Sequence, residues 1–367
     1  MKILWKGNIF NPTGIATAGR EWVKALVKRG HKIQVSDIWH DGWEFNKGLE
    51  FLNSPININD PEIVTIFWDY PMFWREGRGT IIGGFVHEGT KLFEDWPYYI
   101  NKADAVFVPS KAVKNLAKWN GVTKRIEVIP HGVSEVYKPN PEYNKEGTFV
   151  FLSVNSWTGE EGDRKGTDLL IKAFDEEFKE EDVRLVLKMG NFSFAPYNVA
   201  KKIEKIIGHI NEKILVNTKY ATEEELATYY QRSHCFVAPT RGEGFGLTIL
   251  NALACGLPVI VTKDNNSGHM DFCRGHPAVL WVDAPKVVQG DPKFYCEGNM
   301  LADPDINSLK KQMRYAYENW KELNEKAKIE SDRIRQEWSW DRAAEKLENY
   351  INEVKNEVKN ENTQLWR

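Results

Sequence analysis

Residues 240–256 read TRGEGFGLTILNALACG, a glutamate set in a glycine turn directly ahead of an apolar run. The residues just before it, CFVA at 235–238, have the length and apolar character of a buried strand, and the run 245–254 that follows has the length of a helix. Strand, turn and helix in immediate succession form the repeating unit of a parallel sheet covered by helices. Gly244 and Gly246 let the backbone approach a ligand closely, and the amides at a helix start favour an anion or hydroxyl oxygens. Glu243 is then placed to accept hydrogen bonds from sugar hydroxyls, although a tight connection alone also accounts for a GEG turn. Asn251 is the polar residue of the helix, and a mid-helix amide is ordinarily solvent-facing or satisfied locally.

The same alternation extends in both directions. Strands are predicted at 2–4, 32–35, 63–67, 83–86, 105–108 and 126–129, with a helix at 17–29. A polar, proline-bearing stretch at 137–147, YKPNPEYNKEG, interrupts the pattern as an interdomain linker would. Strands then return at 148–154, 184–188, 213–217, 235–238, 258–262 and 278–282. Helices fit 167–174, 200–209, 223–231, 245–254 and 308–317. These elements divide the chain into an N-terminal domain at 1–140 and a C-terminal domain at 148–338. A Lys/Glu-rich amphipathic helix at 341–360 follows. The fold class is α/β: two Rossmann-like parallel-sheet domains facing a central cleft, with ligands expected at the carboxyl ends of the strands.

Composition agrees with this and excludes other classes. The 367 residues are 42% hydrophobic and 28% charged, as in a folded globular chain. A formal net charge of -3 does not provide the basic footprint of a nucleic-acid binder. No apolar run approaches the ~20 residues of a membrane span. The opening MKILWKGNIF passes into a strand without a signal-peptide core. Cys235, Cys255, Cys273 and Cys296 lack metal-ligand spacing and read as reduced thiols, so a cytoplasmic location is expected.

Other stretches carry candidate chemistry. In DRKGTDLL (163–170), Arg164 and Lys165 follow the loop 156–162 and precede a helix, where a guanidinium fork and an ammonium could neutralise a diphosphate; an exposed basic loop is the plainer explanation. Gly14 belongs to a glycine-bearing loop, NIFNPTGIATAGR, that lacks the GxGxxG spacing of dinucleotide sites. His87 in GGFVHEGT and His131 in VIPHGV stand at strand ends. The aromatics of WDYPMFW (68–74) suit packing better than sugar stacking. Asp303-Pro304-Asp305 looks like a metal-binding DxD but reads as a helix start, so no metal is assigned to it. Lys111, Lys114, Lys118, Lys124 and Arg125, interleaved with Leu116 and Trp119, form either a solvated face or a weak peripheral contact with an anionic membrane.

Together these pieces resemble the GT-B glycosyltransferases, and within them the retaining family 4. The resemblance runs through TGIATAGREWVKALVKRGHKIQV, GGFVH, ADAVFVPSKAVKNL, VIPHGV, RKGTDLLIKAF, FVAPTRGEGFGLTILNALACGLPVIVT and EWSWDRAA. It implies that the second domain holds a nucleotide-sugar donor, UDP- or GDP-linked, without a metal. It further implies catalytic roles for His87, Glu243 and Lys165, with Glu243 on the transferred sugar and His87 near the reacting centre. Arg164, Gly244, Phe245, Gly246, Leu247, Asn251 and Gly14 would line the donor site. The family separates its Arg and Lys more widely than Arg164 and Lys165. It also commonly carries a second glutamate where this chain has Asn251, a residue that would grip the ribose. The C-terminal helix would brace the first domain.

The function expected is transfer of a sugar to an acceptor hydroxyl on a glycan, lipid or small molecule. Two rivals stay open: a GT-B scaffold that binds nucleotide-sugars without turnover, with Asn251 as its trace, and a sugar-nucleotide epimerase.

Overall fold

The computed structural model describes residues 1–36, 55–143, 146–157, 162–190 and 199–364, the last four as backbone only. The chain forms two compact units, one of residues 1–87, 91–132 and 338 onward, the other of residues 88–90 and 133–337.

The first unit is built on a parallel sheet of β1 (Lys2–Gly7), β2 (Lys32–Ser36), β3 (Val64–Trp68), β4 (Thr80–Gly84), β5 (Ala105–Val108) and β6 (Ile126–Val128), in the order β2-β1-β3-β4-β5-β6. Helices α1 (Gly14–Lys28), α2 (Trp96–Ile100) and α3 (Lys111–Trp119) connect them. α1 buries Trp22, Val23 and Leu26, and Thr13 caps its start by accepting from the Ala16 amide at 3.2 Å. Strand β4 lies earlier than the expected 83–86, because its pairing with β3 runs from Val64↔Thr80 to Trp68↔Gly84. Phe85 therefore leaves the sheet and packs edge-on against Trp74 and Trp96, and His87 stands three residues past the strand. In WDYPMFW, Trp68 and Trp74 are buried, with their indoles donating to the Ile15 and Asp69 carbonyls. Packing is their role.

The C-terminal helix, Trp340–Gln364, belongs to this first unit. Leu347, Ile351 and Val354 recur at helical spacing and are buried. The Tyr350 hydroxyl donates to the carbonyls of Val106 and Arg125, and Arg29 pairs with Glu348 at 2.6 Å. His131 is enclosed by Trp22, Trp68 and Trp340, and burial alone lowers its pKa to about 3. It is a neutral core ring.

The second unit repeats the plan with β7 (Phe149–Asn155), β8 (Val183–Met189), β9 (Ile214–Asn217), β10 (Cys235–Ala238), β11 (Val259–Thr262) and β12 (Val279–Val282). The order β12-β11-β10-β7-β8-β9, parallel throughout, is that of a dinucleotide-type doubly wound sheet. An antiparallel pair that periodicity did not suggest, β13 (Lys286–Gln289) with β14 (Met300–Asp303), follows β12. The helices are α4 (Thr167–Glu177), α5 (Val199–Ile207), α6 (Glu223–Arg232), α7 (Leu247–Ala254), α8 (Met270–Cys273), α9 (Ile306–Glu318) and α10 (Trp320–Glu337). Asp305 caps α9 by accepting from the Ser308 amide at 2.7 Å, which is the helix-start chemistry expected of Asp-Pro-Asp. Phe151, Leu170, Phe174, Leu185 and Val237 are fully buried between sheet and helices, each contributing about 1.5–3 kcal/mol.

The unit boundary falls at 132/133, ahead of the stretch read as a linker. Tyr137 is buried edge-on against Tyr230, and the Lys138 carbonyl accepts from Gln231 at 3.0 Å. A proline-rich composition signalled irregular backbone here but could not reveal that one tyrosine anchors it. Residues 88–90 join the second unit through hydrogen bonds of Glu88 and Thr90 with Asn299 and Met300. Among the described residues, no helix is long and apolar enough to cross a membrane.

Candidate functional site

In the second unit the strand order reverses between β7 and β10, which are hydrogen-bonded neighbours. Loops leaving the carboxyl ends of such strands diverge and open a crevice. The β7 loop delivers Arg164 and Lys165, and the β10 loop delivers the stretch 240–246. Residues 78 positions apart thereby meet: Lys165 Nζ lies 2.6 Å from Glu243 Oε1. Arg164 Nη1 donates to the Gly242 carbonyl at 2.7 Å and lies 3.5 Å from Glu243 Oε2.

Backbone contacts clamp the two loops together. The Arg241 amide donates to the Arg164 carbonyl at 2.7 Å, and Arg241 Nη1 donates to the Asp163 carbonyl and to Asp168. Gly166, with φ +66, begins α4; a Cβ there would lie 2.0 Å from the Pro239 carbonyl oxygen. Only glycine fits. Gly246, with φ +100, begins α7 without a side-chain cap. The first-turn amides of Leu247 and Thr248 have no intrahelical acceptor, and they form the positive end of the helix dipole.

Glu243 is held from beneath as well. Its amide donates to Ser267 Oγ at 3.2 Å, and its carbonyl accepts from the Gly268 amide at 2.6 Å. Burial pushes the Glu243 carboxyl up, but Lys165 and Arg164 outweigh it and hold the pKa below its ordinary value. Burial opposes the Arg164 charge too, yet Glu88, Tyr295 and Glu243 raise its pKa further. His269 is fully buried beside the loop, with Nε2 at 2.8 Å from the Thr262 carbonyl. That acceptor assigns the proton to Nε2, and burial lowers the ring's pKa, so it is neutral.

Phe245 packs against Phe272 with ring centroids 5.3 Å apart and is buried. Its side chain anchors the loop, so any ligand contact it makes comes from the backbone. Within α7, Leu247, Thr248 and Asn251 are partly exposed while Ile249, Leu250 and residues 252–254 are buried. Asn251 thus shares the helix face that begins at the mouth. The Asn251 side chain is also a polar neighbour of the fully buried Tyr230 hydroxyl, which has no partner within hydrogen-bond geometry among the described residues.

The remaining candidates stand in the first unit. Gly14 opens α1 in the loop after β1, and a Cβ there would meet nothing within 4 Å, so the loop is open at that point. His87 is buried against Trp96, with centroids 4.9 Å apart. Of the loop read at 156–162, residues 158–161 lie outside the described residues.

Sequence reasoning missed Glu88, Arg241, Ser267, His269 and Tyr295. Glu88 Oε1 lies 3.3 Å from Arg164 Nη1, and the Tyr295 hydroxyl donates to Glu88 Oε2 at 3.1 Å. Arg241 and Glu88 adjoin quoted motifs and could have been flagged as charges beside them. Tyr295 comes from the β13–β14 connection, and no local pattern marks it.

Residues 149–286 match the family model described as glycosyl transferases group 1. An uncharacterized glycosyltransferase of Methanocaldococcus jannaschii is 25% identical over 64% of this chain and 58% of its own length. The chain spans about half the length of the curated relatives it matches. Sucrose-phosphate synthase from Thermosynechococcus elongatus superposes with a TM-score of 0.72 at 16% identity, covering 96% of this chain and 99% of that one. HepE of Anabaena, solved in complex with UDP-glucose, gives 0.72 at 14% identity, covering 96% and 100%. The chain therefore has the GT-B fold, and its residues 149–286 are similar to the group 1 glycosyl transferases.

Proposed function

We propose that this protein is a retaining glycosyltransferase that moves a sugar from a nucleoside-diphosphate sugar, UDP- or GDP-linked, to an acceptor hydroxyl. The observation that carries this is the Lys165–Glu243 pair at the uncapped start of α7. A buried carboxylate suits sugar hydroxyls, while two adjacent cations and helix-start amides suit the charge that develops on a leaving diphosphate. In this reading Arg164 and Lys165 neutralise the diphosphate, and no divalent metal is assigned to that task. Gly244, Gly246 and Leu247 offer backbone contacts, and Asn251 offers one amide oxygen to the ribose. His87 and Gly14 are assigned to the sugar and acceptor side. The leaving phosphate itself assists removal of the acceptor proton on the same face of the sugar.

The first unit's surface supports a weak contact with an anionic membrane. Trp119 is 67% exposed and Tyr98 62%, and Lys102 Nζ lies 3.9 Å over the Tyr98 ring. The ends of α2 and α3 are tied through Asn101, whose side chain bonds with Gly121 and Thr123. Exposed aromatics beside lysines are the side chains of an interfacial patch.

The test is thermal stabilisation by UDP, GDP, ADP and TDP, each with and without magnesium. A ligand at 100 times its Kd adds about 2.7 kcal/mol. One nucleotide that shifts the melt without metal supports the transferase and identifies the donor base. Binding without turnover would favour the scaffold reading that Asn251 suggests, and donor turnover without transfer would favour an epimerase.

A further inference from the structure

The cations assigned to the diphosphate are already matched by carboxylates of the protein. Arg164 Nη1 has Glu88 at 3.3 Å and Glu243 at 3.5 Å, and Lys165 has Glu243 at 2.6 Å. Two positive and two negative side chains make the cluster formally neutral. Glu243 has a second task in the proposed reaction, as acceptor for the sugar hydroxyls. Glu88 has none there.

Glu88 is nonetheless held with care. Its carbonyl accepts from Asn299 Nδ2 at 3.1 Å, and the Tyr295 hydroxyl donates to Oε2 at 3.1 Å, leaving Oε1 turned to Arg164. Tyr295 and Asn299 both come from the β13–β14 connection, and both are buried. Glu88 itself is largely buried, its side chain 17% exposed. A carboxylate held beside an anion-binding guanidinium weakens anion binding there.

We infer that Glu88, held by Tyr295 and Asn299, is a resident counter-anion that competes with the diphosphate for Arg164 and sets how tightly donor and product are bound. The inference rests on the reading of Arg164 and Lys165 as diphosphate ligands. It makes Glu88 a positioning residue: it acts through Arg164 and touches no substrate. Its value to a transferase is release, because a nucleoside diphosphate left on two unopposed cations would leave slowly.

The experiment is calorimetric titration of the full chain with inorganic pyrophosphate, UDP and GDP. Glu88→Gln, with Glu88→Ala as a second neutral variant, is expected to bind pyrophosphate and the accepted nucleotide about tenfold tighter than wild type, the scale of removing one charge from a half-screened cluster. Glu88→Asp, which keeps the charge, is expected to be no tighter than wild type. Damage to the fold cannot produce tighter binding, so a merely structural role predicts the opposite direction. If a nucleotide binds wild type and the neutral variants bind it equally or more weakly, this inference falls and the transferase reading stands. Tightening by Glu88→Asp equal to that by Glu88→Gln also overturns it. If pyrophosphate binding tightens but neither nucleotide binds better than pyrophosphate, the counter-anion stands and the nucleotide-sugar reading falls. A chain that binds none of the three in any variant overturns both.

Discussion

Lys165→Ala probes the centre of the site. It removes an ammonium 2.6 Å from a carboxylate whose side chain is 8% exposed, leaving Arg164 at 3.5 Å as the nearest compensating charge. Breaking a buried pair from one side costs about 3–5 kcal/mol. Lys165 is itself 19% exposed and Arg164 remains, so we expect roughly 2 kcal/mol in the second unit's unfolding transition at pH 7.

The pH dependence is more telling. In the wild type, burial raises the Glu243 pKa, but Lys165 and Arg164 bring it below the ordinary 4.5. A depressed carboxyl contributes stability that is complete above the unfolded value and is lost as pH falls through the folded value. Without Lys165, burial gains against Arg164 alone and the folded pKa rises. The variant's deficit should therefore be largest at neutral pH and shrink on acidification, because its Glu243 takes up a proton before that of the wild type. Differential scanning calorimetry at pH 7 and pH 4.5 measures this. Lys165→Ala/Glu243→Ala should be less destabilised than the sum of the two single variants. A pH-independent deficit, or strict additivity in that cycle, would refute the buried-pair account. Turnover by Lys165→Ala should also fall at least ~100-fold.

Gly166→Ala combines a left-handed φ of +66 with a Cβ 2.0 Å from the Pro239 oxygen, and should cost about 3 kcal/mol or more while displacing Arg164 and Lys165; a melt within error of wild type would contradict the close approach. Asn251→Glu restores a charged acceptor on the open face of α7 and should tighten UDP or GDP binding about fivefold, the difference between charged and neutral hydrogen bonds; unchanged calorimetric Kd values would remove Asn251 from the ribose. Lys114→Glu/Lys118→Glu should weaken binding to phosphatidylserine vesicles in co-sedimentation by about 30-fold or more, at about 1 kcal/mol per basic residue before reversal is counted, and equal sedimentation would dismiss the membrane contact.

The sequence by itself determined what is encoded at short range. Strand and helix periods are set by neighbours two to four residues apart, so both α/β halves and most elements could be read directly, β10 at Cys235–Ala238 to the residue. The Glu243 loop was legible for the same reason: strand, glycine turn and helix adjoin in the chain. Strand β4 was misplaced because glycines at 83 and 84 carry no periodic signal; Trp74 and Phe107 pack against them only in three dimensions. The tertiary structure alone decided which charges meet. Lys165 reaches Glu243 because β7 and β10 are neighbours in a sheet whose order is not the chain order. Glu88 reaches Arg164, and Tyr295 reaches Glu88, across separations for which no periodicity exists. The Coulomb energy of such contacts depends on distance through space and on burial, and neither quantity is written in the spacing of residues along the chain.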